Sequence, residues 1–273
     1  MDELIEKPAR HICLVSGGKD STALAIYLRD TRPNLEVEYV FCDTQKELPE
    51  TYEYLVRIEA YLGKPIVRLC SEHGERGFDH WMQMYRGFLP SPSARWCTKE
   101  LKIKPFERYV GEDPTFLYIG IRADEDREGY ISTKQNIKPV FPLKEDGITK
   151  PDVFRILEDS GIGLPDYMSW RSRSGCYFCF FQRKIEWIGL MERHPDLFEK
   201  AKEYEKPEEF FTWCQGESLI KLERPERVKA IREQELKRQR IQSKNRKPRT
   251  LAEMFSPGLV DPDEEIGCLI CHK

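Results

Sequence analysis

A chain of 273 residues, 40% of them hydrophobic, is long enough to bury one α/β core and a smaller appendage. No run approaches the ~20 apolar residues of a membrane helix, and a formal charge of −3 does not by itself point to a polyanionic partner. The first residues, Met1-Asp2-Glu3-Leu4-Ile5-Glu6-Lys7, lack the apolar core of a secretory signal. A cytoplasmic location is therefore expected, where the nine cysteines act as thiols, metal ligands or redox groups rather than structural disulfides.

In chain order, the apolar, β-branched run 12–15 predicts a buried strand, and the spacing of Leu24 and Leu28 predicts a helix just after it. A second strand is predicted over 37–42, ending at Asp43-Thr44. A helix from Leu48 to about Leu62 follows, with Pro49 and Glu50 in its first turn and Gly63 as its stop. A third strand fits 65–70. Strand, helix and strand repeated at this spacing imply a parallel sheet with right-handed crossovers. Further on, a helix is expected over 78–88, another over 97–110 with a bend at Pro105, and a strand over 115–121. An edge strand over 139–142 is bracketed by prolines. From residue 150 the pattern turns helical, with elements over 152–160 and 183–193. Trp170, Trp187 and Trp213 read as packing residues. The stretch 224–249 carries eleven Lys or Arg against three Glu, a net +8 that leaves the rest of the chain near −11. It is read either as a phosphate-binding tail or as a solvated helix with Arg227, Ile231 and Glu235 at helical spacing.

Between the first strand and its helix lies Ser16-Gly17-Gly18-Lys19-Asp20-Ser21-Thr22. The glycines let backbone approach a phosphate, the first amides of the helix point at it, and Lys19 and the hydroxyls add charge and donors. This loop lacks the Walker spacing and resembles the PP-loop of the ATP pyrophosphatase superfamily. Phe41-Cys42-Asp43-Thr44, Leu48-Pro49-Glu50-Thr51-Tyr52 and Gly120-Ile121-Arg122-Ala123-Asp124-Glu125 resemble signatures of its PAPS reductase branch. The matches span roughly residues 12 to 180. The resemblance implies a Rossmann-like (adenine nucleotide alpha hydrolase-like) α/β fold of parallel strands with flanking helices, plus a smaller helical C-terminal region. Its boundaries are expected at 1–148 for the nucleotide-binding domain, 149–223 for the helical region and 224–273 for the basic helix and tail.

The resemblance further implies ATP with Mg²⁺, held by residues 16–22, Asp43 and Arg127, with Lys19, Asp43 and Arg122 catalytic. Arg122 and Arg127 read alternatively as partners of Asp124 or Asp126, and Asp43 as a helix cap. Cys97 and the pair in Cys176-Tyr177-Phe178-Cys179 occupy positions where reductases ligate an iron–sulfur cluster, although Trp96 replaces the first of the usual tandem cysteines. A [4Fe-4S] cluster on Cys97, Cys176 and Cys179, with Cys268 as a fourth ligand, is the expectation; buried thiols or a zinc site is the alternative. The end of the chain, Gly267-Cys268-Leu269-Ile270-Cys271-His272, departs from the reductase motif, so Cys268 or Cys271 is expected to supply a fourth cluster ligand, to accept a persulfide or to bind zinc with His272, with Cys271 taken as the catalytic thiol. The set is most similar to the DndC/SspD proteins of DNA phosphorothioation. It implies DNA, a cysteine desulfurase and other subunits of a modification complex as partners, with no membrane. The competing readings are a reductase of adenylylated sulfate, a tRNA thiolase and a non-catalytic ATP-sensing subunit.

Overall fold

The computed structural model describes residues 8–71, 77–127, 134–209 and 211–245. Five strands form one sheet: β1 (Arg10–Leu14), β2 (Val37–Cys42), β3 (Ile66–Leu69), β4 (Thr115–Tyr118) and β5 (Ile137–Val140). All neighbours are parallel, in the order β3-β2-β1-β4-β5. The chain leaves β1 towards one edge and returns at β4 to the other side of β1. The crevice at the carboxyl ends of β1 and β4 is therefore the topological switch point, where such sheets hold ligands.

The two faces of β1 follow the pleat. Cys13 and Val15 join a core with Leu24 and Leu28 of α1 (Lys19–Thr31), Tyr54, Leu55 and Ile58 of α2 (Pro49–Leu62), and Val153 and Leu157 of α7 (Lys150–Asp159). Ile12 and Leu14 meet Phe106 and Val110 of α5 (Lys104–Val110) on the opposite face. A third core gathers Leu48, Phe78 and Trp96 with Tyr167, Phe178, Trp187, Trp213 and Ile231. Trp187 and Trp213 are buried, as packing residues should be.

Several boundaries moved for local reasons. The helix expected over 78–88 is α3 (Phe78–Met84), and Arg86 and Gly87 beyond it both take positive φ. The run expected over 97–110 starts one residue earlier. It passes from α4 (Trp96–Thr98) through a π-helical turn, Lys99–Ile103, into α5. Pro105 has no amide to donate back into the preceding turn, and the wider π ladder absorbs this loss. The edge strand lies two residues before its expected start, with Pro139 tolerated at the sheet edge and Pro142 opening α6 (Pro142–Glu145). The strand expected over 115–121 stops at Tyr118. Gly120 then passes so close to α1 that a Cβ there would sit 2.9 Å from the Asp20 carbonyl oxygen.

The helical part comprises α8 (Lys184–Arg193), α9 (Pro195–Glu203), α10 (Leu219–Leu222) and α11 (Pro225–Asn245). Among the described residues no helix is long and apolar enough to cross a membrane. The basic stretch forms α11 up to Asn245, and 246–249 lie outside the described residues. Its Arg227-Ile231-Glu235 face is docked. Ile231 is buried, Arg227 bonds Glu217 through Nε (2.5 Å) and Nη2 (3.1 Å), and Arg183 donates to Glu235 (3.2 Å).

The Glu217 carboxyl is held down to about 2 by its hydrogen bond to Arg227, against partial burial and with help from Lys184. A depressed carboxylate contributes stability that is full above its ordinary value of 4.5 and lost as pH falls towards about 2. Glu217→Gln should therefore lower the thermal midpoint at pH 6, and the difference from wild type should vanish near pH 2.

Candidate functional site: a phosphate loop faced by a thiol turn

The loop after β1 is shaped by its own hydroxyls. The Ser16 amide donates to Ser21 Oγ (3.0 Å), while Ser21 Oγ (3.1 Å) and Thr22 Oγ1 (2.8 Å) donate to the Gly18 carbonyl. Gly17 has φ +70, and a Cβ there would stand 2.7 Å from Thr51 Cγ2; at Gly18 it would stand 2.9 Å from Ser174 Oγ. Both positions are closed to larger residues, one from α2 and one from the thiol segment. Gly18 is the N-cap of the thirteen-residue α1 and offers no capping side chain. The first amides of α1 are thus presented to an anion.

The cations expected to grip phosphate are held by carboxylates. Lys19 Nζ lies 2.6 Å from Asp20 Oδ2. Arg122 is fully buried and reaches Asp20 (2.9 Å), Asp124 (2.8 Å) and Glu125 (2.8 Å). Arg127 donates through Nε to Glu125 (2.7 Å). Burial opposes the charge on Asp20, but Lys19 and Arg122 overcome it and hold the carboxyl far below the usual range. Arg122 is stabilised as a cation by the same carboxylates against its own burial. Asp43 does not cap α2, whose N-cap is Leu48. Its Oδ1 instead accepts from the Gln45 amide (2.7 Å), an Asx turn, and from Tyr52 Oη (2.8 Å).

Against this loop lies the segment that carries Cys176 and Cys179. Tyr167 Oη donates to the Gly17 carbonyl (2.8 Å), Ser174 Oγ to Ser16 Oγ (3.2 Å) and the Tyr177 amide to the Lys46 carbonyl (2.8 Å). Cys176 Sγ is 3.1 Å from Thr44 Oγ1 and 4.0 Å from Glu47 Oε1. A turn closed by the Cys179 amide on the Cys176 carbonyl (3.0 Å) keeps the two cysteines together. Burial pushes both thiols up, that of Cys179 against the opposing charges of Arg171, Arg173 and Lys102. Burial likewise raises the Glu47 carboxyl.

Cys97 packs on the same core as Cys176. Among the described residues, however, no three His, Cys, Asp or Glu side chains form a group able to hold a metal ion. The residues present thus do not assemble the expected three-cysteine site, and Cys268 and Cys271 lie outside the described residues. Ser16, Gly17, Gly18, Lys19, Asp20, Ser21, Thr22, Arg122 and Arg127 do share the β1/β4 crevice, and Asp43 stands at the end of β2 beside it. Sequence reasoning missed Thr44, Glu47, Lys102, Tyr167 and the Arg171-Ser172-Arg173-Ser174 run. An alternating Arg/Ser sequence entering a Cys-x-x-Cys was the available signal for that run; Glu47 offered none.

A parallel sheet with an uncapped glycine loop at its switch point is an arrangement able to hold a phosphate. The profile of the phosphoadenosine phosphosulfate reductase domain matches residues 10–166, more than half of the chain, which therefore belongs to this family. An uncharacterized protein of Methanocaldococcus jannaschii is 27% identical over 212 residues, covering 72% of this chain and 41% of its own length. The tRNA-specific 2-thiouridylase of Haemophilus influenzae is 27% identical over 184 residues, covering 55% of this chain and 47% of its own. The chain thus spans less than half the length of these two relatives. A solved phosphoadenylyl-sulfate reductase from Candida auris superposes with a TM-score of 0.49 at 14% identity, covering 62% of this chain and 82% of that one.

Removing one partner of a buried ion pair strands the other charge, at a cost of about 3–5 kcal/mol. Asp20→Asn should lower unfolding stability in urea by about that amount, since Arg122 loses its link to α1. An unchanged midpoint would show that Asp124 and Glu125 suffice.

Proposed function

We propose that the protein is an ATP-dependent sulfur-transfer enzyme of the DndC/SspD type, acting on a backbone phosphate of DNA. The observation that carries this reading is the lacing of the thiol turn to the phosphate loop through Ser174 and Ser16 (3.2 Å). Sulfur chemistry and phosphate activation thereby share one crevice. Residues 16–22 would hold the ATP phosphates, and Asp43 would hold the accompanying Mg²⁺. A DNA phosphate oxygen attacks the α-phosphorus, the bond to the β-phosphate breaks, and pyrophosphate leaves against Lys19 and the α1 amides. A nucleophilic sulfur from a persulfide-bearing desulfurase partner then attacks the activated phosphorus, and AMP departs with the oxygen. Breaking the persulfide S–S bond needs a second thiol, which ends as a disulfide with the donor.

A second reading, sulfur transfer to a tRNA base, is favoured by the similarity to the 2-thiouridylase. It shares the adenylylation step and differs only in the acceptor.

The test supplies ATP, a desulfurase with cysteine, and either DNA or tRNA. Pyrophosphate release should depend on DNA, and digestion followed by mass spectrometry should find a phosphorothioate linkage. Lys19→Ala should slow pyrophosphate release about 100-fold or more, the scale of losing one donor to a developing charge. Thiolated tRNA with untouched DNA would select the second reading. Sulfite formed from an adenylylated sulfate, with no pyrophosphate from ATP, would overturn both.

A further inference from the structure

The thiol turn sits among cations. Arg171 is 1% exposed and donates through Nη2 to the Cys176 carbonyl (2.8 Å). Its Nε and Nη1 are buried without a hydrogen-bond partner among the described residues. Arg95 repeats this, with buried Nε and Nη2 atoms that have none. Its guanidinium stands 5.6 Å from the centre of the Phe181 ring, and that of Arg173 stands 6.0 Å from the same ring. The charges of Arg171, Arg173 and Lys102 all reach the Cys179 thiol. Lys102 also lines, with Ser16, Glu47, Ser174 and Gly175, a small cavity between the phosphate loop and the thiol turn.

A buried guanidinium with idle donors is strongly unfavourable unless something answers it. Glu186 offsets part of the charge of Arg171 and Arg173, but no carboxylate among the described residues takes the idle donors of Arg171 and Arg95. Glu186 accepts from Ser172 and Arg183, and Glu47 accepts from Thr44 and is pushed towards its neutral form by burial. Four cations around one turn repel a metal cation and attract an anion, and the planar fork of arginine matches two oxygens of one oxoanion. We propose that Arg95, Arg171 and Arg173 form a second oxoanion site, apart from the phosphate loop, that receives the phosphodiester of a nucleic-acid acceptor. The assignment rests on the function proposed above. It gives the acceptor phosphate its own seat one residue from Ser174, which touches the loop where ATP would lie.

The test is calorimetric titration of the full chain with trithymidylate and, separately, with ATP. Arg95→Gln and Arg173→Gln should each weaken trithymidylate binding about tenfold or more. Both should bind ATP within about twofold of wild type and melt with it. Arg95→Lys, which keeps the charge and loses the fork, should recover only part of the affinity. Trithymidylate binding equal to wild type in both Gln variants would overturn the site, as would a parallel loss of ATP affinity. Iron and sulfide held at the thiols, with the arginine variants changing only that content, would overturn it too. Arginine-dependent trithymidylate binding without any sulfur transfer would sink the proposed function and leave the site standing. DNA thiolation unaffected by either Gln variant would do the reverse.

Discussion

Arg122 has no exposed surface, and a buried guanidinium persists only where carboxylates replace its lost hydration. Three do so here, from Asp20, Asp124 and Glu125. Two of these lie on its own loop, but Asp20 belongs to the first turn of α1. The pair therefore ties the start of α1 to the end of β4 across the point where strand order reverses. The approach is steric as well as ionic, because the chain passes α1 at Gly120, where no Cβ fits against the Asp20 carbonyl. The two sides of the crevice are thereby joined by both an ion pair and a close backbone approach.

The same carboxylate governs how the loop meets an anion. Asp20 holds Lys19 on one oxygen and Arg122 on the other. Lys19 is the partly accessible member, so an anion at the loop would compete for it and leave Asp20 bonded to the buried Arg122. Charge on the buried side stays balanced while Lys19 changes partner. Arg122 thus braces the loop from its buried side, and Lys19, the α1 amides and the hydroxyls are the groups left to face a ligand.

Much of this arrangement was legible because it is local. The apolar run, the glycine pair and the 3.6 spacing around Leu24 and Leu28 placed β1, the loop and α1, and the repeat placed β2, α2 and β3. Asp43 and Arg122 could be put at strand ends for the same reason. What escaped depends on contacts far apart in sequence. Ser16 meets Ser174 and Thr44 meets Cys176 across 158 and 132 positions, and no periodicity signals such a meeting. Glu47 looks like an ordinary surface residue before a helix, yet the thiol turn closes over it. The π-helical turn before Pro105 was half visible, since proline announced a disturbance but not its form.

The thiol turn takes its position from packing that lies away from the loop. In Cys-Tyr-Phe-Cys the middle residues are the anchors. Phe178 lies 4.4 Å from Phe78 and 4.9 Å from Trp213, ring centre to ring centre, and Tyr177 is buried beside it. These partners come from α3 and from the strip before α10, so the third core closes only when three separate parts of the chain arrive. Aromatic pairs of this kind fix orientation as well as bury area. The sheet positions the glycine loop, and the aromatic core positions the two cysteines. The two frames meet at the Ser16–Ser174 bond, and a shift in the packing of Phe178 is carried to Cys179 beside it and to Cys176 two residues away.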